Sequence, residues 1–258
     1  MKRSIINSLP DLYSMVIAKV ELSGSINSKM ARQFGEIFSY IERTKKIKAM
    51  LLVMNSGGGE AAPSEILMEL VKKIKKKKPV FTIIEGIGAS GAYWIASGST
   101  KIYALKTSIT GSIGVIAINP NVREFLEKIG VKVDIVKMGE YKDMLNPFAE
   151  TNIEGRKKYS EILEHSYSVF RNSVRENRNL NQESIEKIAT GEIFSSESAL
   201  KLGLIDKIGT KEEALKELME TYGLPAKIRE YSPRRTVFER MLSSSISARI
   251  IDRFIGAL

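Results

Sequence analysis

The chain has 258 residues, 43% of them hydrophobic, and 40 lysines and arginines against 30 aspartates and glutamates give it a net charge of +10. That length supports one sizeable core with appendages, and the absence of cysteine excludes both a thiol nucleophile and a disulfide framework. The basic excess raises nucleic acid and anionic membranes as partners, but the lysines are scattered. The one dense run, Lys72 to Lys78, closes an expected helix, where cations suit the C-terminal dipole. We expect a solvated face there, peripheral membrane attraction as the second reading, and no nucleic acid.

Residues 1–14 begin with Lys2 and Arg3, but polar residues and Asp11 interrupt them before an apolar signal-peptide core develops. No stretch approaches the ~18–20 apolar residues of a membrane span, so the expected location is the cytoplasm or a membrane periphery. Met15 to Leu22 reads as a first strand. Ser28 to Arg43 carries Met30, Phe34, Ile37, Phe38 and Ile41 at helical spacing. Lys48 to Asn55 reads as a buried strand, Pro63 to Lys77 as a helix with proline at its start, and Val80 to Glu85 as a strand. A helix follows at Ser90 to Ser97, then short strands at Lys101 to Leu105 and Ile113 to Ile118. Val122 to Ile129 reads as a helix and Val131 to Val136 as a strand.

Glu154 to Asn177 is an expected long helix. Gln182 to Ala189 is a shorter one capped by Asn181, Glu197 to Leu202 another, and Thr210 caps a last helix to Tyr222. Alternating strands and helices imply an α/β fold with helices flanking a sheet. It is expected over residues 15–225. From about residue 226 the character changes. Ser232-Pro233-Arg234-Arg235 reads as a turn or linker. Phe238, Met241, Leu242, Ile246, Ile250, Ile251 and Phe254 then recur at helical spacing among arginines. This C-terminal helical extension is expected to pack on its own or a neighbouring subunit, or to touch a membrane surface.

The chemistry concentrates in four blocks. In Gly88-Ala89-Ser90-Gly91-Ala92-Tyr93-Trp94, an apolar strand feeds a small-residue turn and then a helix. That arrangement presents a hydroxyl to a peptide carbonyl beside free N–H groups. Asn55-Ser56-Gly57-Gly58-Gly59 is a glycine loop whose amides suit an oxyanion or a phosphate. Thr110-Gly111-Ser112-Ile113-Gly114-Val115 and Met138-Gly139-Glu140-Tyr141-Lys142-Asp143 complete the set. The sole histidine, His165, falls inside the long helix and reads as structural, which argues against a Ser-His-Asp triad. A lysine base acts only when neutral, so its free pKa of ~10.4 must fall toward ~7–8, as burial achieves.

In order and spacing, these blocks resemble the signal peptide peptidase A family, Ser-Lys proteases of the Clp protease/crotonase superfamily. The resemblance covers roughly residues 15–222. It implies a repeated ββα/βαβ fold and, block by block, Ser90 as nucleophile, Lys142 as general base and Ser112 as the hydroxyl that orients the lysine. Gly58 and Gly91 fall on the oxyanion donors. Where the family usually carries proline this chain has Gly57, which makes Gly57 an alternative donor. Asp143 is expected to point away from the amine. The resemblance further implies hydrolysis of signal peptides or other apolar unfolded peptides, no cofactor, and a homo-oligomer in which the dyad can be shared between subunits. The rival readings are a crotonase-like acyl-CoA enzyme, a non-catalytic scaffold, and an endopeptidase dedicated to one membrane partner.

Overall fold

In the computed structural model the described residues are 15–150, 152–224 and 227–233. The N-terminal segment 1–14 and the amphipathic part of the extension, from Arg234 on, lie outside them. Among the described residues the sheet has eight strands. β1 (Val16–Ser23), β2 (Ile47–Ser56) and β3 (Val80–Ala89) run parallel at its centre. One edge of β3 is shared. Its first half, Phe81 to Ile84, pairs with β4 (Lys101–Ala104), and its end, Ile87 to Ala89, pairs with β5 (Ile109–Gly111). β6 (Ile193–Ser195) joins β5 in antiparallel fashion and β7 (Lys207–Ile208) joins β4. The other sheet edge is β8 (Ile228–Tyr231), parallel to β1. Nothing in the sequence pattern signals this strand, whose Ile228, Arg229 and Glu230 are all exposed.

The run Ala49 to Met54 in β2 is buried on both faces, as a central parallel strand covered by helices must be. One cover is α1 (Ser28–Arg43), which begins at Asn27, whose Oδ1 accepts from Met30 N at 2.9 Å. Its Phe34, Phe38 and Ile41 meet Leu67, Val71 and Ile74 of α2 (Ala61–Lys75) in the main core. α2 starts two residues before Pro63, which the first turn tolerates because the missing N–H has no intrahelical acceptor there. α3 (Gly91–Ser97) is buried throughout. Beyond it lie α4 (Arg123–Lys128) and the long α5 (Ile153–Asn177), then α6 (Gln182–Ile188) and α7 (Ser196–Lys201). The opposite sheet face packs Ala214 and Leu218 of α8 (Lys211–Tyr222) on Ile17, Leu51 and Phe81. A capping box starts α8: Glu213 N donates to Thr210 Oγ1, and Thr210 N to Glu213 Oε2.

Two expected strands do not form. Ile113 to Ile118 and Val131 to Val136 are irregular, with Ile116, Ile118 and Val136 exposed at 81%, 83% and 94%. β-branched alternation supplies strand propensity, but a strand persists only with a neighbour to complete its ladder. β5 stops at Gly111, and no strand among the described residues lies beside either run.

Candidate active site

The site is built where parallel strands end. β3 delivers Ser90 with a positive φ, 53° with ψ −127°, a conformation that a residue with a Cβ rarely adopts. Hydrogen bonds hold it there. Ser90 N donates to Gly111 O at 2.9 Å, and Trp94 N donates to Ser90 O at 2.9 Å, the first bond of α3. Ser90 is thus the residue that caps α3, yet its hydroxyl makes no capping bond. The half-buried side chain keeps its hydroxyl available beside the free N–H groups of a helix start.

Ala89 and Gly111 are register partners, so Ser112 follows β5 just as Ser90 follows β3. Ser112 shares the unusual backbone, with φ 50°, and its N donates to Glu192 O at 2.7 Å. The two serines therefore each follow one of a pair of adjacent strand ends. Buried hydroxyls lock this register. Thr110 Oγ1 donates to Gly88 O at 2.6 Å and Ser108 Oγ to Ile84 O at 2.8 Å, while Ser196 Oγ contacts Leu105 O and Ser108 O.

The glycine loop after β2 closes on Ser90. A Cβ on Gly58 would lie 2.7 Å from Gly91 N and 2.8 Å from Ser90 Cβ, and one on Gly91 would lie 2.2 Å from Ser64 Oγ. Only glycine permits this approach. Gly58 N donates to Ser56 Oγ at 3.1 Å, and Ser56 Oγ donates onward to Gly24 O. The Gly58 amide is thus engaged within its own loop. Gly57 is exposed, and a Cβ added to it would meet nothing within 4 Å. Asn55 Oδ1 accepts from Ile87 N at 3.1 Å and pins the irregular turn of β3 before Ser90. Sequence reasoning assigns Asn55 no role, although it opens the glycine motif.

Ser90 and Gly91 open on a cavity of about 310 Å³. Gly59 and Ala61 rim it, and Trp94, Ile162, Leu163 and Phe170 supply apolar wall. Trp94 stacks on Phe170 with ring centroids 4.6 Å apart. The α5 residues are a contribution that sequence reasoning misses. Their helical spacing signals a buried face without saying what that face will meet. Such a pocket beside a poised hydroxyl accepts an apolar side chain.

Lys142 and Ser112 do not line this cavity. Lys142 lies in a turn closed by its own N donating to Gly139 O at 3.3 Å, and its side chain is exposed. Among the described residues its ammonium has no hydrogen bond or ion pair. The Asp143 carboxylate is held by Lys137 Nζ at 2.5 Å, which keeps its pKa below the usual value. His165 is exposed on α5 and lines no part of the cavity. Among the described residues no cluster of histidines and carboxylates could hold a metal ion, and no helix is long and apolar enough to cross a membrane.

Comparison with known proteins bears on the family and the fold. The pattern of Peptidase family S49 matches residues 72–225 and that of Clp protease matches residues 6–113. A Methanocaldococcus jannaschii protein named "Putative protease MJ0651" is 40% identical over 190 residues, covering 74% of this chain and 61% of its own length. "Putative signal peptide peptidase SppA" of Enterococcus faecium is 37% identical, covering 77% of this chain and 58% of its own. The chain thus spans about three fifths of these two relatives. Among solved structures, "1510-N membrane-bound stomatin-specific protease S97A mutant" superposes with a TM-score of 0.56 at 17% identity. That match covers 86% of this chain and all of the other, and it is a likeness of fold.

Proposed function

From the premise that this chain belongs to peptidase family S49, we propose that it is a serine endopeptidase in which Ser90 and Lys142 form the catalytic dyad. The observation that carries the reading is the strained Ser90, its hydroxyl free of capping duty, at the mouth of an apolar cavity and against a glycine loop. In the proposed cycle neutral Lys142 accepts the Ser90 proton as Oγ attacks the scissile carbonyl carbon. The oxyanion is met by Gly91 N–H and by an amide of the Gly57–Gly59 loop. Lys142 then protonates the leaving amine, and with that proton gone it activates the water that hydrolyses the Ser90 ester. Ser112, one strand over from Ser90, accepts or donates a hydrogen bond that orients the amine without adding charge.

The apolar wall formed by Trp94, Ile162, Leu163 and Phe170 supports a substrate with a hydrophobic side chain at the cleaved bond, as in signal peptides and other membrane-derived segments. A homo-oligomer with a shared dyad belongs to the same proposal. Lys142 lies outside the cavity lining, on a segment that leaves Ile116, Ile118, Val136 and Met138 more than 80% exposed. These exposed apolar side chains support that reading, since a neighbouring copy seated there would both bury them and desolvate a lysine brought to Ser90.

The test is hydrolysis of a panel of fluorogenic apolar peptides. Ser90→Ala and Lys142→Ala are each expected to lower kcat/KM at least about 10³-fold, and wild-type activity should rise with pH as the base loses its proton. Mixing the two inactive variants then reports on sharing. Regained activity means that serine and lysine meet between subunits. Variants as active as wild type exclude this dyad.

A further inference from the structure

The parallel strands give the molecule two chemically different ends. Ser90, Ser112 and the glycine loop all follow strand C-termini. At the opposite end the chain turns into β2 and β3, and the approach to each strand is basic. α1 closes with Arg43, and Lys45 and Lys48 flank the start of β2. α2 closes with Lys72, Lys73 and Lys75, and Lys76, Lys77 and Lys78 lead into β3. Because each helix runs back along the sheet to the next strand, connectivity alone brings these cations to one pole.

Part of this charge has structural work. Lys78 Nζ reaches Ile41 O and Thr44 O and so closes α1, Lys77 pairs with Glu42, and Lys72 pairs with Glu69 at 3.1 Å. Lys45, Lys48, Lys73 and Lys76 differ. They are exposed and form no hydrogen bond or ion pair among the described residues. Burial, and after it the nearby Arg178 charge, holds Lys75 below its usual pKa. Cations within the last turn complement the helix dipole, but Lys45 and Lys48 lie beyond α1 and add charge to this pole that no helix end accounts for.

We propose that this basic pole docks the protein on an anionic lipid surface, with the Ser90 cleft directed away from the bilayer. Clusters of four to eight lysines and arginines on one face suit the diffuse charge of acidic headgroups. An open depression at the pole is lined by Arg43, Lys45, Ile47, Lys48, Lys77 and Lys78 together with Glu42. It contains no aromatic ring on which a nucleobase could stack, so it lacks the feature that single-stranded nucleic acid sites use. The lysines are flexible point charges spread over two helix ends and two loops, which matches a laterally fluid surface better than a fixed array of phosphates.

The experiment is co-sedimentation of the full chain with vesicles of phosphatidylcholine alone and of phosphatidylcholine mixed with an equal part of phosphatidylglycerol. Wild type is expected to bind only the acidic vesicles and to be released by salt. The quadruple variant Lys45→Gln, Lys48→Gln, Lys73→Gln, Lys76→Gln removes only exposed, unpaired charge and should raise the lipid concentration for half-binding at least about tenfold. A control variant, Lys106→Gln, Lys128→Gln, Lys157→Gln, Lys187→Gln, removes the same charge elsewhere and should bind as wild type does. Peptide hydrolysis by vesicle-bound wild type should equal that of free enzyme, since the cleft faces away. Equal weakening by both variants, or binding that survives the pole variant, overturns the proposal. So does displacement of the protein from vesicles by a short nucleic acid duplex that the pole variant fails to bind, which makes the pole a nucleic-acid surface.

Discussion

Ser90 occupies a backbone conformation that costs of order 1–3 kcal/mol for a residue with a Cβ, and the fold holds it there through Gly111 O and the first turn of α3. Ser90→Gly is therefore expected to abolish hydrolysis while raising stability by about 1 kcal/mol, measured as a higher midpoint in thermal or denaturant unfolding. The glycine loop makes a paired prediction. A Cβ at Gly58 has no room between Ser90 and Gly91, and its φ of +98° is itself unfavourable. Gly58→Ala should lose activity and about 1–3 kcal/mol of stability, whereas Gly57→Ala, facing open space, should fold as well as wild type and leave the melting midpoint within the ordinary scatter of surface changes. The Ser90 turn and the glycine motif were legible in the sequence because each block is local, whereas the Ser112 and Lys142 blocks, equally local, fall outside the cavity lining. That Gly58 N–H is taken up by Ser56 Oγ was not legible, because it depends on how the loop folds back to Gly24.

At the scale of elements, long periodic segments and capped helices were readable. Asn181 and Thr210 signal helix starts, and the side chain of each accepts from a backbone N–H in the first turn, as Asn27 does for α1. Residues 113–118 and 131–136 mislead because apolar alternation reports propensity, and whether a partner strand exists is a property of the whole sheet. β8 escapes a sequence reading for the converse reason, since a short exposed edge strand carries almost no apolar signal. α8 shows how one side chain fastens an element. Glu217 accepts from Lys101 and Tyr103 and pairs with Lys207 at 3.1 Å, so one carboxylate ties the helix to β4 and β7. Lys101 and Tyr103 hold its pKa down to about 2, against 4.5 for the free group. A depressed carboxylate stabilises the fold above its unfolded pKa, and that contribution is lost as pH falls toward the folded value. Wild type is thus expected to lose part of its stability between pH 4.5 and about 2, and Glu217→Gln, which cannot ionise, should lack that part of the acid limb in melts recorded across pH. Within the site, Phe170→Ala removes the ring stacked on Trp94 and should cost about 3–5 kcal/mol. Phe170→Leu keeps most of the volume, and comparing its kcat/KM on peptides with small and large apolar residues reads out the cavity wall.

For the molecule as a whole, topology places the chemistry. Parallel strands joined by helices send every loop of one kind to the same end, so the hydroxyls and glycine amides collect at strand C-termini while one dense group of lysines lies at the other pole. The α/β class followed from alternation of elements. The branching of β3 between β4 and β5, which puts Ser90 and Ser112 after adjacent strand ends, is a long-range pairing that no local pattern encodes. Net charge was equally visible in composition, yet its polarity emerged only from connectivity. The central claim is that Ser90 Oγ is the atom that carries the covalent intermediate. The most direct measurement is acid quenching of wild type during turnover of an apolar peptide ester, followed by intact mass spectrometry and peptide mapping. The account predicts one acyl group per chain, attached to Ser90 and absent from Ser90→Ala. An acyl group on any other residue, or ester cleavage undiminished in Ser90→Ala, contradicts it.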